Sequence, residues 1–373
     1  MTNIQTLLRP HIADMPPYHP ILPFEVLSEQ LGIPADRIIK LDANENPYGP
    51  LPQVRAALAE LPYAHIYPDP ESRLLRAALA DYHHVPAENL LAGAGADELI
   101  DLVMRVFLNP GDAIINCPPT FGMYPFDADV NNAQTISIPR HSDFSLDIES
   151  LELATRKYSP KLLFVTSPNN PDGGLIPRGD LDRLLALPVM VVLDEAYVEF
   201  APPGTSRMRE VVERENLIVL RTFSKWAGLA GLRVGFGAFP GWLMPHLWKV
   251  KQPYNVSVAA SVAARVSLES AGELGEVGAR LIAERERMVG LLRAIPWLEV
   301  FPSQANFVLC RVKARKAGRD AAQVKAELAR EGILIRYFEK PGLRDCVRIS
   351  VGRGEETDRV VEALVKIGNH GNS

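Results

Sequence analysis

The feature that most restricts the fold is a series of short, continuously apolar runs separated by helical patterns. Residues 97–108 place their apolar side chains on one helical face, and a second helix is expected at 178–187. Apolar strands that alternate with helices are typical of a mostly parallel sheet covered on both faces. The middle of the chain is therefore predicted to be an α/β domain. The runs that predict its strands are 113–117 (AIINC), 161–166 (KLLFVT), 189–194 (VMVVLD) and 217–223 (LIVLRTF).

The C-terminal part of the chain follows a different pattern, in which long helices precede a mixture of strands and helices. This order predicts a smaller α+β domain. We therefore divide the chain into a proline-rich N-terminal arm (1–40), a large domain (41–265) and a small domain (266–373). The predicted elements are helices near 257–270, 272–294, 319–331 and 355–367, and strands near 306–312, 333–338 and 346–351.

Composition excludes several classes of partner. The chain of 373 residues has a net charge of -5, and its Lys and Arg residues are scattered, which argues against nucleic-acid binding. The longest apolar runs, such as 189–193, are much shorter than the roughly 20 residues of a membrane helix. The N-terminus lacks the apolar core of a signal peptide. The odd number of widely spaced cysteines, Cys117, Cys310 and Cys346, favours reduced thiols, so we expect a cytoplasmic protein.

Polar, aromatic or Pro- and Gly-rich loops follow the predicted strands. Ligands of open parallel sheets bind beyond the carboxyl ends of the strands, so these loops should meet at one edge. This edge is the predicted binding site. The loops are GAGADE (93–98), CPPTFGMY (117–124), SPNNPDGG (167–174), DEAY (194–197) and TFSK (222–225).

The GAGADE loop enters a predicted helix. Unpaired backbone N–H groups at a helix N-terminus favour an anion such as phosphate. The dinucleotide-binding pattern GxGxxG does not fit, because Glu98 occupies the third glycine position and the next strand ends in Asn116. An ordinary strand-to-helix turn capped by Asp97 explains this segment equally well on its own.

Asp194 ends an apolar strand, where an ionised carboxylate needs a cation opposite it. A pyridinium nitrogen would serve, and the absence of a neighbouring histidine makes a metal site improbable, so no metal is predicted. Tyr197 and Asn170 are donors suited to a phenolate oxygen. Each of these two alone is more simply a core aromatic or a turn residue.

Together these parts match pyridoxal 5'-phosphate. The phosphate requires a cradle, the ring nitrogen an acid, the phenolate hydrogen-bond donors and the ring a flat aromatic side chain. Its aldehyde requires an amine, and Lys225 is the candidate for the Schiff base.

The chain resembles fold-type I, aspartate-aminotransferase-like enzymes, and most closely the histidinol-phosphate aminotransferase family. The resemblance extends from LDANENPYGP near residue 41, through IYPDP and the loops above, to TFSKWAGLAGLRVGF and VRISVG. It implies a large, mostly parallel α/β domain with helices, a smaller α+β domain and an N-terminal arm that packs with the small domain and the partner subunit of a homodimer. It also implies a role in histidine biosynthesis.

The resemblance implies a role for each cofactor residue. Lys225, Asp194 and Tyr197 are the expected catalytic residues: Lys225 binds the aldehyde and then acts as general base, Asp194 pairs with the ring nitrogen, and Tyr197 binds the phenolic oxygen. Tyr67, in IYPDP, is expected to reach the phosphate in the neighbouring subunit. The remaining cofactor contacts are expected from Asn170 to the phenolic oxygen, Phe121 by stacking, and Ala96, Asp97, Ser224 and Arg233 to the phosphate.

Substrate recognition is expected to depend on two arginines of the small domain. In the resembling family, Arg336 and Arg348, with Tyr18 from the arm, bind the substrate phosphate and later the carboxylates of an acceptor such as 2-oxoglutarate. Two guanidinium groups suit a dianion. Asn44, in NENP, is placed near the substrate. A surface position for Arg336 and a loop-structural role for Asn44 are the alternatives.

Two positions depart from the family pattern. Asp172 replaces a threonine in SPNNPDGG, which adds a negative charge near the cofactor, and Phe121 replaces a tyrosine that is common at its position in the family.

Three other functions are alternatives to the one that the resemblance implies. An aromatic amino acid aminotransferase would not need Arg336. A threonine-phosphate decarboxylase would break the bond between Cα and the carboxylate. A non-catalytic pyridoxal-phosphate-binding regulator is disfavoured, because the chain has no spare segment for a helix-turn-helix module.

Overall fold

The structure, a computed structural model, describes residues 4–17, 22–61 and 63–369. Within these ranges the strands form two sheets. Their bounds are β1 Ile39–Leu41, β2 Leu90–Gly93, β3 Ala113–Asn116, β4 Gln134–Ser137, β5 Leu162–Thr166, β6 Met190–Asp194, β7 Leu217–Thr222, β8 Gly235–Ala238, β9 Leu298–Val300, β10 Phe307–Val312, β11 Ile333–Tyr337 and β12 Cys346–Ser350.

Helices surround both sheets. None in the described part of the chain is long and apolar enough to cross a membrane. Their bounds are α1 Pro10–Asp14, α2 Phe24–Leu31, α3 Pro52–Ala59, α4 Arg73–His83, α5 Ala96–Phe107, α6 Met123–Val130, α7 Ile148–Tyr158, α8 Arg178–Leu185, α9 Met244–Val250, α10 Val258–Glu269, α11 Ala271–Arg293, α12 Ala314–Ala317, α13 Ala321–Arg330 and α14 Gly354–Asn369.

The larger sheet has the strand order β2-β8-β7-β6-β5-β3-β4. Strand β8 runs antiparallel to both of its neighbours, and every other pair is parallel. Every residue of β5, β6 and β7 is buried, because helices cover both faces of these central strands. The predicted α/β sheet is confirmed, and its predicted strands agree with the observed bounds to within one residue at each end.

Helix α5 shows how the pattern of the sequence sets the packing. Leu99, Leu102 and Val103 share one face and are buried against the sheet, as predicted from their helical spacing. Acidic residues occupy the first turn and Arg105 the last, which matches the helix dipole. The helix begins just after β2 ends at Gly93, so its N-terminus lies at the carboxyl edge of the sheet, where Ala96 and Asp97 line the predicted site.

The smaller sheet has the order β1-β11-β12-β10-β9. Strand β1 pairs parallel with β11, in the register Ile39 to Ile333, while the other pairs are antiparallel. The segment just before residue 42 thus joins the sheet of the small domain before the chain enters the large domain. This connection brings the NENP loop between the two domains.

The packing of three helices bears on the proposed division of the chain. Helix α10 packs on α3 and α4 of the large domain, whereas α11 packs on β9 and α14 of the small domain and also contacts the turn Val198–Phe200 of the large domain. The proposed boundary at residue 265 therefore lies inside α10, four residues before it ends at Glu269. In the N-terminal arm, α1 lies against α6 of the large domain, where His11 Nε2 is 3.4 Å from the carbonyl oxygen of Val130.

Candidate active site

A cavity of about 1140 Å³ lies between the two domains. Its large-domain wall includes Thr166, Asp194 and Thr222, the last residues of β5, β6 and β7, and its small-domain wall includes Arg336 and Arg348. The cavity therefore opens at the carboxyl edge of the sheet, where ligands of such sheets bind. The predicted site residues that line it are Asn44, Ala96, Asp97, Phe121, Asn170, Asp194, Tyr197, Ser224, Lys225, Arg233, Arg336 and Arg348.

Lys225 lies in the loop that follows β7. Its Nζ donates a hydrogen bond to the carbonyl oxygen of Ala43, at 3.0 Å, and the indole of Trp226 anchors the loop by donating to the carbonyl oxygen of Thr222. Burial, together with the positive charge of Arg348, lowers the pKa of Lys225 to about 8. About a tenth of this amine is therefore neutral at pH 7, far more than for an ordinary lysine, and the neutral form is the one that a nucleophile or general base requires.

Asp194 is buried at the end of β6 and faces the cavity. Its Oδ1 accepts from the backbone N–H of Ala196 at 3.0 Å, and its Oδ2 accepts from the hydroxyl of Tyr124 at 2.6 Å. Burial raises the pKa of Asp194 to about 6, and these two hydrogen bonds oppose the rise. A cation in the cavity would stabilise the ionised carboxylate further, so a protonated ring nitrogen fits this position.

Arg233 lies beside the N-terminus of α5. Arg233 Nη2 pairs with Asp97 Oδ2 at 2.6 Å, and both side chains are about half exposed toward the cavity. The first N–H groups of a helix have no intrahelical partners, so those of Ala96 and Asp97 are suited to phosphate. Nearby, the Ser224 hydroxyl accepts from Thr222 Oγ1 at 2.9 Å and keeps its own proton for a ligand.

Tyr197 and Asn170 lie on the cavity wall, each already paired with a neighbour. The Tyr197 hydroxyl accepts from Asn44 Nδ2 at 3.1 Å, which leaves its proton available to a phenolate oxygen. Asn170 Oδ1 accepts from Arg348 Nη1 at 2.5 Å, so its amide N–H groups remain available as donors. Asn44 is buried, has a φ of 55° and bonds Ser350 through both its backbone N–H and its side chain. It therefore fixes the NENP loop and also contacts the site.

Arg336 and Arg348 are directly opposite each other on the antiparallel strands β11 and β12. Arg348 Nη2 donates to the carbonyl oxygen of Asp42 at 2.7 Å, while its buried Nε has no hydrogen-bond partner within the described residues. Burial and the charge of Arg336 lower the pKa of Arg348 to about 10. Two adjacent guanidinium groups repel each other until an anion binds between them, and a dianion suits the pair best.

Phe121 lies in the cavity wall, whereas Tyr67 does not. Phe121 lines the cavity and contacts Tyr124 edge to face, with ring centroids 5.7 Å apart. Tyr67 does not line the cavity of its own chain; it is 80% exposed and stacks on Tyr254. Tyr18 lies outside the described residues.

Tyr124, whose hydroxyl contacts Asp194, was not predicted from the sequence. Its only signal was its place in the quoted CPPTFGMY loop, because an aromatic residue at the start of a helix is usually a core residue. Asp172, which departs from the family pattern, does not line the cavity. It is 3% exposed and bonds the Asn169 side chain and the backbone N–H of Gly174, so it braces its own loop.

The fold combines a large domain with a mostly parallel sheet and a small α+β domain. The cavity between them has Lys225 and Asp194 in its wall. This architecture and site are those of a fold-type I aminotransferase. The chain belongs to the family of class I and II aminotransferases, whose model matches residues 36–364. Two relatives named histidinol-phosphate aminotransferase are similar over nearly the whole chain. The one from Nicotiana plumbaginifolia, named as chloroplastic, is 54% identical over 96% of this chain and 86% of its own length. The one from Roseiflexus castenholzii is 52% identical over 98% of this chain and 99% of its own.

A solved structure has the same fold. It is the histidinol-phosphate aminotransferase from Sinorhizobium meliloti in complex with pyridoxal 5'-phosphate, which is 27% identical and matches with a TM-score of 0.88. The match covers 97% of this chain and 98% of that one.

Proposed function

We propose that this enzyme transfers the amino group between L-histidinol phosphate and 2-oxoglutarate in histidine biosynthesis, with pyridoxal 5'-phosphate as cofactor. The names of the two relatives, at 54% and 52% identity, support this substrate, and the cofactor in the similar solved structure supports pyridoxal phosphate. The main structural support is the pair Arg336 and Arg348, which faces the same cavity as Lys225 and Asp194.

The residues of the cavity fit the cofactor. Lys225 would bind its aldehyde, and Asp194 its ring nitrogen. Bound there, pyridoxal phosphate supplies an electron sink for the electrons that remain on the substrate Cα after deprotonation. The other proposed contacts are the phenolic oxygen with Asn170 and Tyr197, the ring face with Phe121, and the phosphate with Ala96, Asp97, Ser224 and Arg233.

The proton chemistry of the reaction depends on Lys225. Its amine, with a pKa of about 8, can take the proton from the substrate Cα in its neutral form. As the ammonium ion it can then supply that proton to a different carbon, as the transfer of the amino group requires. Arg348, 5.1 Å from the ring centre of Phe307 and bonded to Asp42 and Asn170, holds a fixed orientation for substrate binding. Because donor and acceptor use the same site in turn, the kinetics should be ping-pong.

Substrate selection follows from the small-domain arginines. We propose that Arg336 and Arg348, with Tyr18 from the arm, hold the phosphate of the amine donor and then the carboxylates of the oxo acid. Asn44 completes this end of the site through its bond to Tyr197. A phosphate dianion engages both guanidinium groups, whereas a single carboxylate engages Arg348 alone.

We also propose a homodimer in which Tyr67 reaches the cofactor phosphate of the partner subunit. Its exposure, and that of the nearby Tyr63, Ile66 and Tyr254, supports an apolar surface that another subunit covers.

We propose a cytoplasmic location as well, because the three cysteines are free and buried, as is usual in a reducing compartment.

A panel of amine donors tests the proposed reaction. The purified enzyme is given histidinol phosphate, phenylalanine, tyrosine or O-phosphothreonine with 2-oxoglutarate, and the products are identified. Preference for histidinol phosphate supports the proposal, and preference for the aromatic donors would favour an aromatic aminotransferase. Release of carbon dioxide from O-phosphothreonine would indicate a decarboxylase. A protein that binds the cofactor without turning over any donor would be a regulator.

Replacing Arg336 tests the dianion site more sharply. We expect Arg336→Ala to raise the KM for histidinol phosphate about 10- to 100-fold, because one charged hydrogen-bonding partner is lost. The KM for phenylalanine should change much less, since its carboxylate needs only Arg348. Arg359→Ala, on the exposed face of α14, is the control for loss of a positive charge. Equal losses for both donors would contradict a phosphate-binding role for Arg336.

A further inference from the structure

Tyr124 is a fully buried residue that the proposed mechanism leaves without a role. It lies on α6, and its ring stacks on Phe164 with centroids 4.8 Å apart and an interplanar angle of 20°. The same ring is also in edge-to-face contact with Phe121, the residue proposed to stack on the cofactor. Tyr124 therefore has little freedom to move, and it contacts Phe121 through its ring and Asp194 through its hydroxyl.

The hydroxyl of Tyr124 lies between Thr166 and Asp194. Its oxygen is 2.6 Å from Asp194 Oδ2 and 2.9 Å from Thr166 Oγ1. Each hydroxyl has a single proton. An ionised carboxylate can only accept, so Tyr124 donates to Asp194 and must accept from Thr166. The result is a directed chain of hydrogen bonds that begins at Thr166 and ends on the carboxylate.

This chain fixes the carboxylate as well as stabilising its charge. The Tyr124 hydroxyl bonds one oxygen of Asp194 and the backbone N–H of Ala196 bonds the other. The plane of the carboxylate is thereby set, with its remaining lone pairs available to the cavity. Asp97, at the N-terminus of α5, is a further negative group that acts on Asp194 and opposes its ionisation.

We propose that Tyr124 is a positioning residue that keeps Asp194 ionised and oriented toward the ring nitrogen of the cofactor. The inference rests on the proposed cofactor and goes beyond it, because it assigns the control of the ring-nitrogen contact to a residue that does not itself contact the ring nitrogen. Without the Tyr124 hydroxyl, the buried carboxyl group would tend to bind a proton, because a buried charge that lacks hydrogen bonds is costly. A protonated Asp194 no longer favours a pyridinium over a neutral ring.

The test compares two ligands of the cofactor-free, full-length protein. They are pyridoxamine 5'-phosphate and its 1-deaza analogue, in which a C–H group replaces the ring nitrogen. Neither has an aldehyde, so their affinities do not depend on bond formation with Lys225. The measured ratio is the affinity for pyridoxamine 5'-phosphate divided by the affinity for the 1-deaza analogue. We expect Tyr124→Phe to lower this ratio about tenfold, which corresponds to the free energy of one hydrogen bond to a charged group. Calorimetric titration of each ligand measures this ratio.

Two further variants complete the experiment. Thr166→Val, which removes the donor to Tyr124, should lower the ratio in the same direction by a smaller factor. Tyr158→Phe, at the exposed end of α7, should leave the ratio unchanged. An unchanged ratio in Tyr124→Phe would overturn the inference, even if both affinities fell, because a purely structural role affects both ligands alike. If the unaltered protein bound neither ligand, the proposed function itself would fail.

Discussion

Lys225 lies in surroundings that oppose its own positive charge. Burial and the nearby Arg348 lower its pKa from 10.5 to about 8. The folded protein therefore disfavours the ammonium form, and the resulting penalty on folding stability is fully present below pH 8. The penalty decreases as the pH rises from 8 toward 10.5 and disappears above that value. The reactivity of the amine and a loss of stability thus have the same physical origin.

We expect Lys225→Met to stabilise the cofactor-free protein at pH 7 by about 2 kcal/mol. The pKa shift corresponds to roughly 3 kcal/mol, and the lost hydrogen bond to Ala43 subtracts about 1 kcal/mol. At pH 10 most of the gain should be absent. Urea denaturation of both proteins at the two pH values measures the effect, with Lys249→Met on the exposed face of α9 as control. A variant that is less stable than the unaltered protein at pH 7 would contradict the argument.

At the scale of elements, strand β8 and the start of α5 are in close contact, and this contact positions the proposed anion site. A Cβ atom on Gly235 would lie 2.5 Å from the backbone nitrogen of Ala96 and 2.7 Å from the carbonyl carbon of Gly95. These are backbone atoms, so the helix itself would have to move. A strand residue without a side chain is therefore required to bring the N–H groups of Ala96 and Asp97 to the cavity.

Gly235→Ala should consequently destabilise the protein by about 2 kcal/mol or more, because the overpacked contact cannot relax through a side chain. It should also weaken the binding of pyridoxamine 5'-phosphate, since the N-terminus of α5 is displaced. Gly278→Ala is the matched control: it lies in α11 with no atom within 4 Å of the added Cβ and should be stabilising by up to about 1 kcal/mol. Similar stability and affinity in the two variants would show that α5 has no such constraint.

The success of sequence-based prediction also differs between elements. Strands β5, β6 and β7 were predictable because burial on both faces makes them continuously apolar, and the rule for parallel sheets then placed their loops at one edge. Strand β8 and the pairing of β1 with β11 were not, since they depend on distant parts of the chain. The same holds for side chains: Lys225 and Asp194 follow their strands, but the bonds of Tyr124 to Asp194 and of Asn44 to Tyr197 exist only after folding.

At the scale of the whole molecule, Tyr67 lies on the surface and not in the cavity of its own chain. Tyr67 is 80% exposed, stacks on Tyr254 and does not line the cavity next to Lys225. Beside it, a shallow pocket is lined by Ile66, Pro68 and Val258. In the proposed dimer this surface would be covered by the second subunit, and each active site would combine residues of both chains.

Mixing two defective variants distinguishes a shared site from a separate one. Tyr67→Ala should have low activity and Lys225→Ala none, because each lacks one proposed part of the site. If Tyr67 serves the partner's site, a mixed dimer contains one complete site, and random exchange of subunits should restore about a quarter of the full activity. The activity of the mixture is measured after subunits have exchanged under mild denaturation and refolding, with each variant alone treated in the same way. Activity no higher than the average of the two separate samples would mean that Tyr67 does not act across the interface.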